Sequence, residues 1–146
     1  MKTKITLLVL LFLGLNVVLA QEAQEKDLET LSIFTEYAKA KNYDAAYEPW
    51  MELRKRNPKF NRAIFTYGER ILNDKIKKSS GTEQVTYLKD LVKLWEERQT
   101  YFASKTPKGQ FMAKACQLEF DYRKELNKTD AYLYSNFDTA YKTDAK

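Results

Sequence analysis

The sequence has no histidine and a single cysteine, Cys116, among 146 residues, with only four glycines and three prolines. Each shortage closes off a class. Without histidine, the commonest general base and nitrogen metal ligand are missing. One cysteine cannot build an intrachain disulfide framework. So few glycines and prolines suit neither a collagen-like chain nor a loop-rich sandwich. No glycine-rich phosphate loop and no Gly-x-Ser-x-Gly turn occurs. Carboxylates are the remaining catalytic candidates: Glu96, Glu97, Glu119, Asp121 and Glu125. Helical residues one or two apart point to different faces, so these five read as solvated helix surface. The chain is expected to be non-enzymatic, with no catalytic residue, no cofactor and no metal site.

Long hydrophobic runs are confined to one place. A basic start, Met1 to Lys4, leads into an apolar stretch from Ile5 to Ala20. That stretch falls short of the roughly 20 residues needed to cross a bilayer as a helix. It closes on Val18-Leu19-Ala20 and turns polar at Gln21-Glu22. Together these features predict a secretory signal peptide over residues 1–20, cleaved after Ala20. No cysteine stands near that point to take a lipid. The expected destination is the periplasm or outer envelope, or secretion, with no stable membrane span after cleavage.

Charge points away from nucleic acid. The net charge is +5, and losing Lys2 and Lys4 with the signal leaves 23 basic against 20 acidic residues, or +3. A nucleic-acid surface needs a continuous basic face with stacking aromatics. The run Arg54-Lys55-Arg56 suits a helix C-terminus and needs no partner. Lys75, Lys77 and Lys78 form a second basic cluster. Cys116, beside Phe111, Ala115 and Leu118, reads as a buried free thiol. Asn127-Lys128-Thr129 matches a glycosylation acceptor and is read as coincidence.

What the sequence does contain is helical periodicity. Residues 21–27 are polar and read as a loose lead-in. From Leu28 onward, Leu28, Leu31, Phe34, Tyr37 and Ala38 recur at three- and four-residue steps, as do Ala46, Trp50 and Leu53. Later stripes carry Leu88, Leu91, Val92 and Trp95, then Phe111, Ala115, Leu118 and Tyr122, then Leu133, Phe137, Ala140 and Tyr141. Breaks fall at Lys41-Asn42, Asn57-Pro58, Lys78 to Gly81, Ser104 to Gly109 and Asn127 to Asp130, where Thr129 or Asp130 offers an N-cap. The expected fold is all-α: about six helices in three antiparallel pairs, over units near 28–60, 61–105 and 109–142. Residues 143–146 form a tail.

Thr30, Ile33, Phe34 and Tyr37 recur 34 residues later as Ile64, Tyr67, Gly68 and Ile71. Behind the first set come Tyr43, Ala46, Trp50, Leu53 and Pro58. In these residues the chain resembles the tetratricopeptide repeat, which pairs a large-apolar, small, aromatic helix with an Ala-x3-aromatic helix and a closing proline. It looks like the amino ends of exported tetratricopeptide proteins of Gram-negative envelopes. Phe34 stands where a small residue is usual, and Leu91 where alanine is expected. The repeat-defining packing residues are Ile33, Ala46, Trp50, Pro58, Gly68 and Trp95. The resemblance implies a short α-solenoid whose concave groove is lined by the first helix of each pair, with Tyr37, Lys41, Tyr67 and Arg70 as candidate groove residues. The implied function is that of an exported scaffold or adaptor holding a peptide or helix of an envelope protein. Because tyrosine also stacks on sugars, a glycan-binding accessory protein is a second reading. A structural segment of a longer repeat protein is the third.

Overall fold

The computed structural model describes the backbone of residues 2–144 and the side chains of residues 21–143. The expected signal peptide, residues 1–20, falls outside the described side chains. Among the described residues all regular structure is helical: α1 (Lys2–Lys39), α2 (Tyr43–Arg56), α3 (Ala63–Lys78), α4 (Gly81–Tyr101), α5 (Lys108–Asp121) and α6 (Asp130–Asp144), with a 3₁₀ turn at Ala103–Lys105. Three pairs form, α1 with α2, α3 with α4 and α5 with α6. The second pair stacks on the first through α3, which meets both α1 and α2, and α5 packs on α4. This is the stack of helix pairs that the periodicity predicts, and it is consistent with a short helical repeat.

The breaks have local chemical causes. At the end of α1, the Asn42 N–H donates to Tyr37 O at 2.9 Å and the Lys41 N–H to Ala38 O at 3.2 Å. Between them Lys41 takes the left-handed conformation, φ +58°, completing a Schellman closure without the usual glycine. Asn42 then caps α2, its Oδ1 accepting from the Ala45 N–H at 3.3 Å. Pro58 follows directly after Asn57, whose N–H closes α2 onto Leu53 O at 2.8 Å. Thr129 Oγ1 accepts from the Tyr132 N–H at 3.3 Å, making Thr129 the cap of α6. A second Schellman closure, with Asn127 at φ +52°, precedes it.

One core runs through the first five helices: Phe34 and Ala38, then Ala46, Trp50 and Leu53, then Ile64, Ile71 and Leu72, then Leu88, Leu91 and Trp95, and finally Phe111. Cys116, Leu133 and Ala140 are buried outside it, on α5 and α6. Of the residues expected to define the repeat, Ala46, Trp50, Gly68 and Trp95 pack inward. Gly68 lies against the Nε1–Cε2–Cζ2 side of the Trp50 indole, and the Trp50 Nε1–H donates to Ile64 O at 2.8 Å.

Several expectations are corrected. Ile33 does not pack inward but is 42% exposed, as is Tyr37, and Leu28 is also exposed. The inward side of α1 instead carries Asp27, Thr30, Phe34 and Ala38. Two polar residues hold it because α2 supplies their partners: Arg56 Nε and Asn57 Nδ2 donate to the Asp27 carboxylate at 2.8 and 2.7 Å. Arg56 Nη2 donates to Thr30 Oγ1 at 3.2 Å. Residues 21–27 are therefore the continuation of α1, not a loose lead-in. Arg54 and Arg56 likewise have partners. Buried Arg54 donates from Nη1 to Asp90 at 3.0 Å and from Nε to Glu97 at 2.8 Å, with its guanidinium over the Trp50 ring.

The five carboxylates do not share one solvated surface. Glu97 serves Arg54, and half-buried Glu119 pairs with Lys128 at 2.9 Å and accepts from the Tyr132 hydroxyl at 3.3 Å. Glu125 lies beyond α5, which stops at Asp121.

Candidate functional site

The candidate groove begins at the seam of α1 and α3. Phe34 is wholly buried there and meets Tyr67 edge-on, ring centroids 6.5 Å apart. The Arg70 guanidinium lies over the Tyr67 ring at 5.3 Å. That stack holds a flexible side chain over an aromatic ring, and its N–H fork, which has no hydrogen bond or ion pair among the described residues, is of the kind that takes a carboxylate or peptide oxygen. Tyr37 follows Phe34 by three positions and stands one turn further along α1, with Ile33 also exposed. Lys39 pairs with Glu36 at 2.9 Å, and this hydrogen bond raises its pKa above the ordinary lysine value. Tyr67 and Arg70 are thus brought together. Tyr37 and Lys41 make no hydrogen bond or ring contact with them among the described residues, and Lys41 occupies the exposed turn after α1.

Clefts lie elsewhere on the described residues. Between α2 and α4, a cleft of about 310 Å³ is lined by Met51, Arg54, Asp90, Glu97 and Tyr101, and the Arg54 ion pairs bridge it. Between α4 and α5, a cavity of about 320 Å³ is lined by Val92, Trp95, Phe111, Met112 and Ala115. Its walls are almost wholly apolar, so it offers packing rather than chemistry. Among the described residues no three cysteine, histidine or carboxylate side chains converge in the manner of a metal site. No helix of the described residues is long and apolar enough to cross a membrane.

Charge is distributed unevenly. Asp44 accepts from both Lys75 and Lys78, at 2.8 and 3.0 Å, and these bonds hold its carboxyl below the ordinary range. The basic cluster at the end of α3 is therefore partly spent within the fold. Cys116 is buried, as expected, and desolvation pushes its thiol up. On α6 Tyr134 and Tyr141 are 80% and 77% exposed.

A charged cluster carries no signal in the sequence: Glu69 on α3 pairs with Lys114 on α5, and Lys114 shares the Phe111 ring with Arg98 of α4. It is assembled from three helices, and no spacing within one helix signals it. Arg54 carried a readable signal, because it follows Trp50 by four positions and so continues the inward stripe of α2. Compared with protein-family models, curated proteins and solved structures, the chain matches none of them.

Proposed function

We propose that the protein is an exported, non-enzymatic adaptor whose α1–α3 face binds a peptide segment of a cell-envelope protein. The observation that carries the reading is the Arg70–Tyr67 stack, which meets α1 at Phe34, on a helix that also exposes Ile33 and Tyr37. Aromatic and arginine side chains at a partly apolar surface are the residues that dominate protein recognition. The resemblance of Ala46, Trp50, Pro58 and Gly68 to the tetratricopeptide pattern supports a binding face on the first helices of the pairs. Tyr67 presents its ring, Arg70 and Lys41 take acidic or carbonyl oxygens, and Tyr37 extends the contact along α1. The apolar stretch before Gln21 supports export, and the missing histidine supports a binding role over catalysis.

The test is capture from envelope extract by the immobilised protein, at low and high salt. A discrete protein retained through the salt step, and lost with Tyr67→Ala or Arg70→Ala, supports the adaptor. Retention unchanged by either substitution rejects this face. The glycan reading draws on Tyr134 and Tyr141, seven positions apart on α6 and so roughly 10 Å apart along it. Polysaccharide retained without protein, and lost with Tyr134→Ala, favours that alternative.

A further inference from the structure

The cavity between α4 and α5 is walled by two facing stripes. Val92, Trp95, Glu96 and Gln99 recur on α4, and Lys108, Phe111, Met112 and Ala115 on α5, each set at steps that share one helix face. The short side chains of Val92 and Ala115 leave the seam unfilled, and a half-open space of about 320 Å³ remains. An apolar cavity of roughly 150 Å³ already takes benzene, so this one has room for a larger apolar molecule.

The polar side chains in these walls share one property: none has a hydrogen bond or ion pair among the described residues. Glu96 and Lys108 are exposed, one on each helix and opposite in sign, yet they do not pair with each other. Trp95 is 6% exposed, and its indole N–H has no acceptor. One turn further along α4, the buried Oε1 of Gln99 has no donor. Buried donors and acceptors are nearly always paired, because an unpaired one costs free energy. The cleft between α2 and α4 follows that rule, since Arg54 pairs there with Asp90 and Glu97. Lys108 also opens α5, whose first turn has neither an acidic residue nor a side-chain cap, so the helix dipole adds positive charge at that end.

Two donors and two acceptors thus surround one apolar space. A carboxylate suits Lys108 and the Trp95 N–H, and an ammonium suits Glu96 and the Gln99 oxygen. A fatty acid would serve only the first pair, and an apolar amine only the second. We propose that the α4–α5 cavity binds a free α-amino acid with a large apolar side chain, of the leucine or phenylalanine class. The side chain packs on Phe111 and Met112, and the two charged groups take the two polar pairs. Gln99 is the flexible member of the wall, and its rotation brings the closed-off polar atoms to the ligand. The site is separate from the α1–α3 face and goes beyond the adaptor reading.

The test is calorimetric titration of the protein with L-leucine and L-phenylalanine, with the indole N–H NMR resonances of both tryptophans followed alongside. At least one amino acid should bind saturably with a Kd below about 1 mM. It should shift the Trp95 resonance and leave that of Trp50, which is committed to Ile64 O. Glycine, which lacks the apolar body, should not bind. Leucinamide lacks the carboxylate and N-acetyl-leucine the ammonium, and each should bind about tenfold more weakly or worse. Lys108→Ala and Glu96→Ala, both at exposed positions, should each weaken leucine by about tenfold. Lys108→Ala should not change leucinamide binding, and Glu96→Ala should not change N-acetyl-leucine binding. Ala115→Leu, which fills the cavity, should abolish binding. The proposal fails if neither amino acid binds, or if leucinamide and N-acetyl-leucine bind as tightly as leucine. It fails equally if N-acetyl-leucinamide binds more tightly, which would make the cavity a seat for a side chain of a partner protein.

Discussion

Gly68 and Trp50 are in direct contact: a Cβ built on Gly68 would stand 2.6 Å from Trp50 Cζ2. No flexible chain end lies there to move aside, because the indole is wholly buried and its Nε1–H is committed to Ile64 O. Alanine normally improves a helix interior over glycine by about 1 kcal/mol. Here overpacking of about 1–3 kcal/mol opposes it. Gly68→Ala is therefore expected to lower the urea midpoint, and a raised midpoint would show that the α2–α3 contact has room to relax.

Arg54 ties α2 to α4 through Asp90 and Glu97. Removing one partner of a wholly buried pair costs about 3–5 kcal/mol. Asp90 and Glu97 are each 24% exposed and can rehydrate, so Arg54→Ala is expected at the lower end, about 2–4 kcal/mol. Chemical denaturation measures it. A loss within about 0.5 kcal/mol, typical of surface sites, would place Arg54 outside the fold's energetics.

Lys41 and Asn127 hold left-handed backbone conformations that glycine adopts without strain. Lys41→Gly and Asn127→Gly are each expected to stabilise by a few tenths to about 1 kcal/mol, less for Asn127 because asparagine tolerates this region better. Lys41→Gly also separates fold from function. A raised Tm with weakened partner capture is the result expected if the Lys41 side chain contacts the ligand.

Asp27 connects the early part of α1 to the end of α2. Asp27→Ala removes the acceptor of Arg56 Nε and Asn57 Nδ2, and hydrogen exchange should then rise over residues 21–30 while the α3–α4 pair stays protected. Equal protection in both proteins would mean that Leu31 and Phe34 alone hold this segment.

Stability should fall at both ends of the pH scale. Asp44 and Glu52 have pKa values lowered by hydrogen bonds, from Lys75 and Lys78 for Asp44 and from Lys26 and Arg56 for Glu52. The unfolded chain therefore takes up protons first, and their contribution fades as pH drops from ordinary carboxyl values, 3.8 and 4.5, through the folded ones. Cys116 and Tyr47 are shifted up by burial. The folded protein holds their protons longer, so stability is lost as pH climbs from the ordinary values of 9.0 and 10.0 through the folded ones. Thermal scans from pH 3 to 11 check both limbs. Iodoacetamide at pH 8 should label Cys116 slowly until the protein is unfolded.

Periodicity alone determined much of this protein. The helix pairs and the breaks at Asn42, Pro58, Gly81 and Thr129 follow from side-chain size and local backbone preference, which act within a few residues; that Gly68 meets Trp50 was decided by the packing of α3 on α2. The absence of histidine was equally legible. Only tertiary structure decided which polar residues face inward. Asp27, Thr30 and Arg54 hold inward positions because their partners, Arg56, Asn57, Asp90 and Glu97, arrive from other helices, and hydropathy cannot register a charge satisfied 29 or 43 residues away. The same holds for the candidate sites. Tyr67 and Arg70 lie three positions apart and so stack within α3, whereas Glu69, Arg98 and Lys114 come together only after three helices pack, since the field around a charge depends on distance in space and not along the chain.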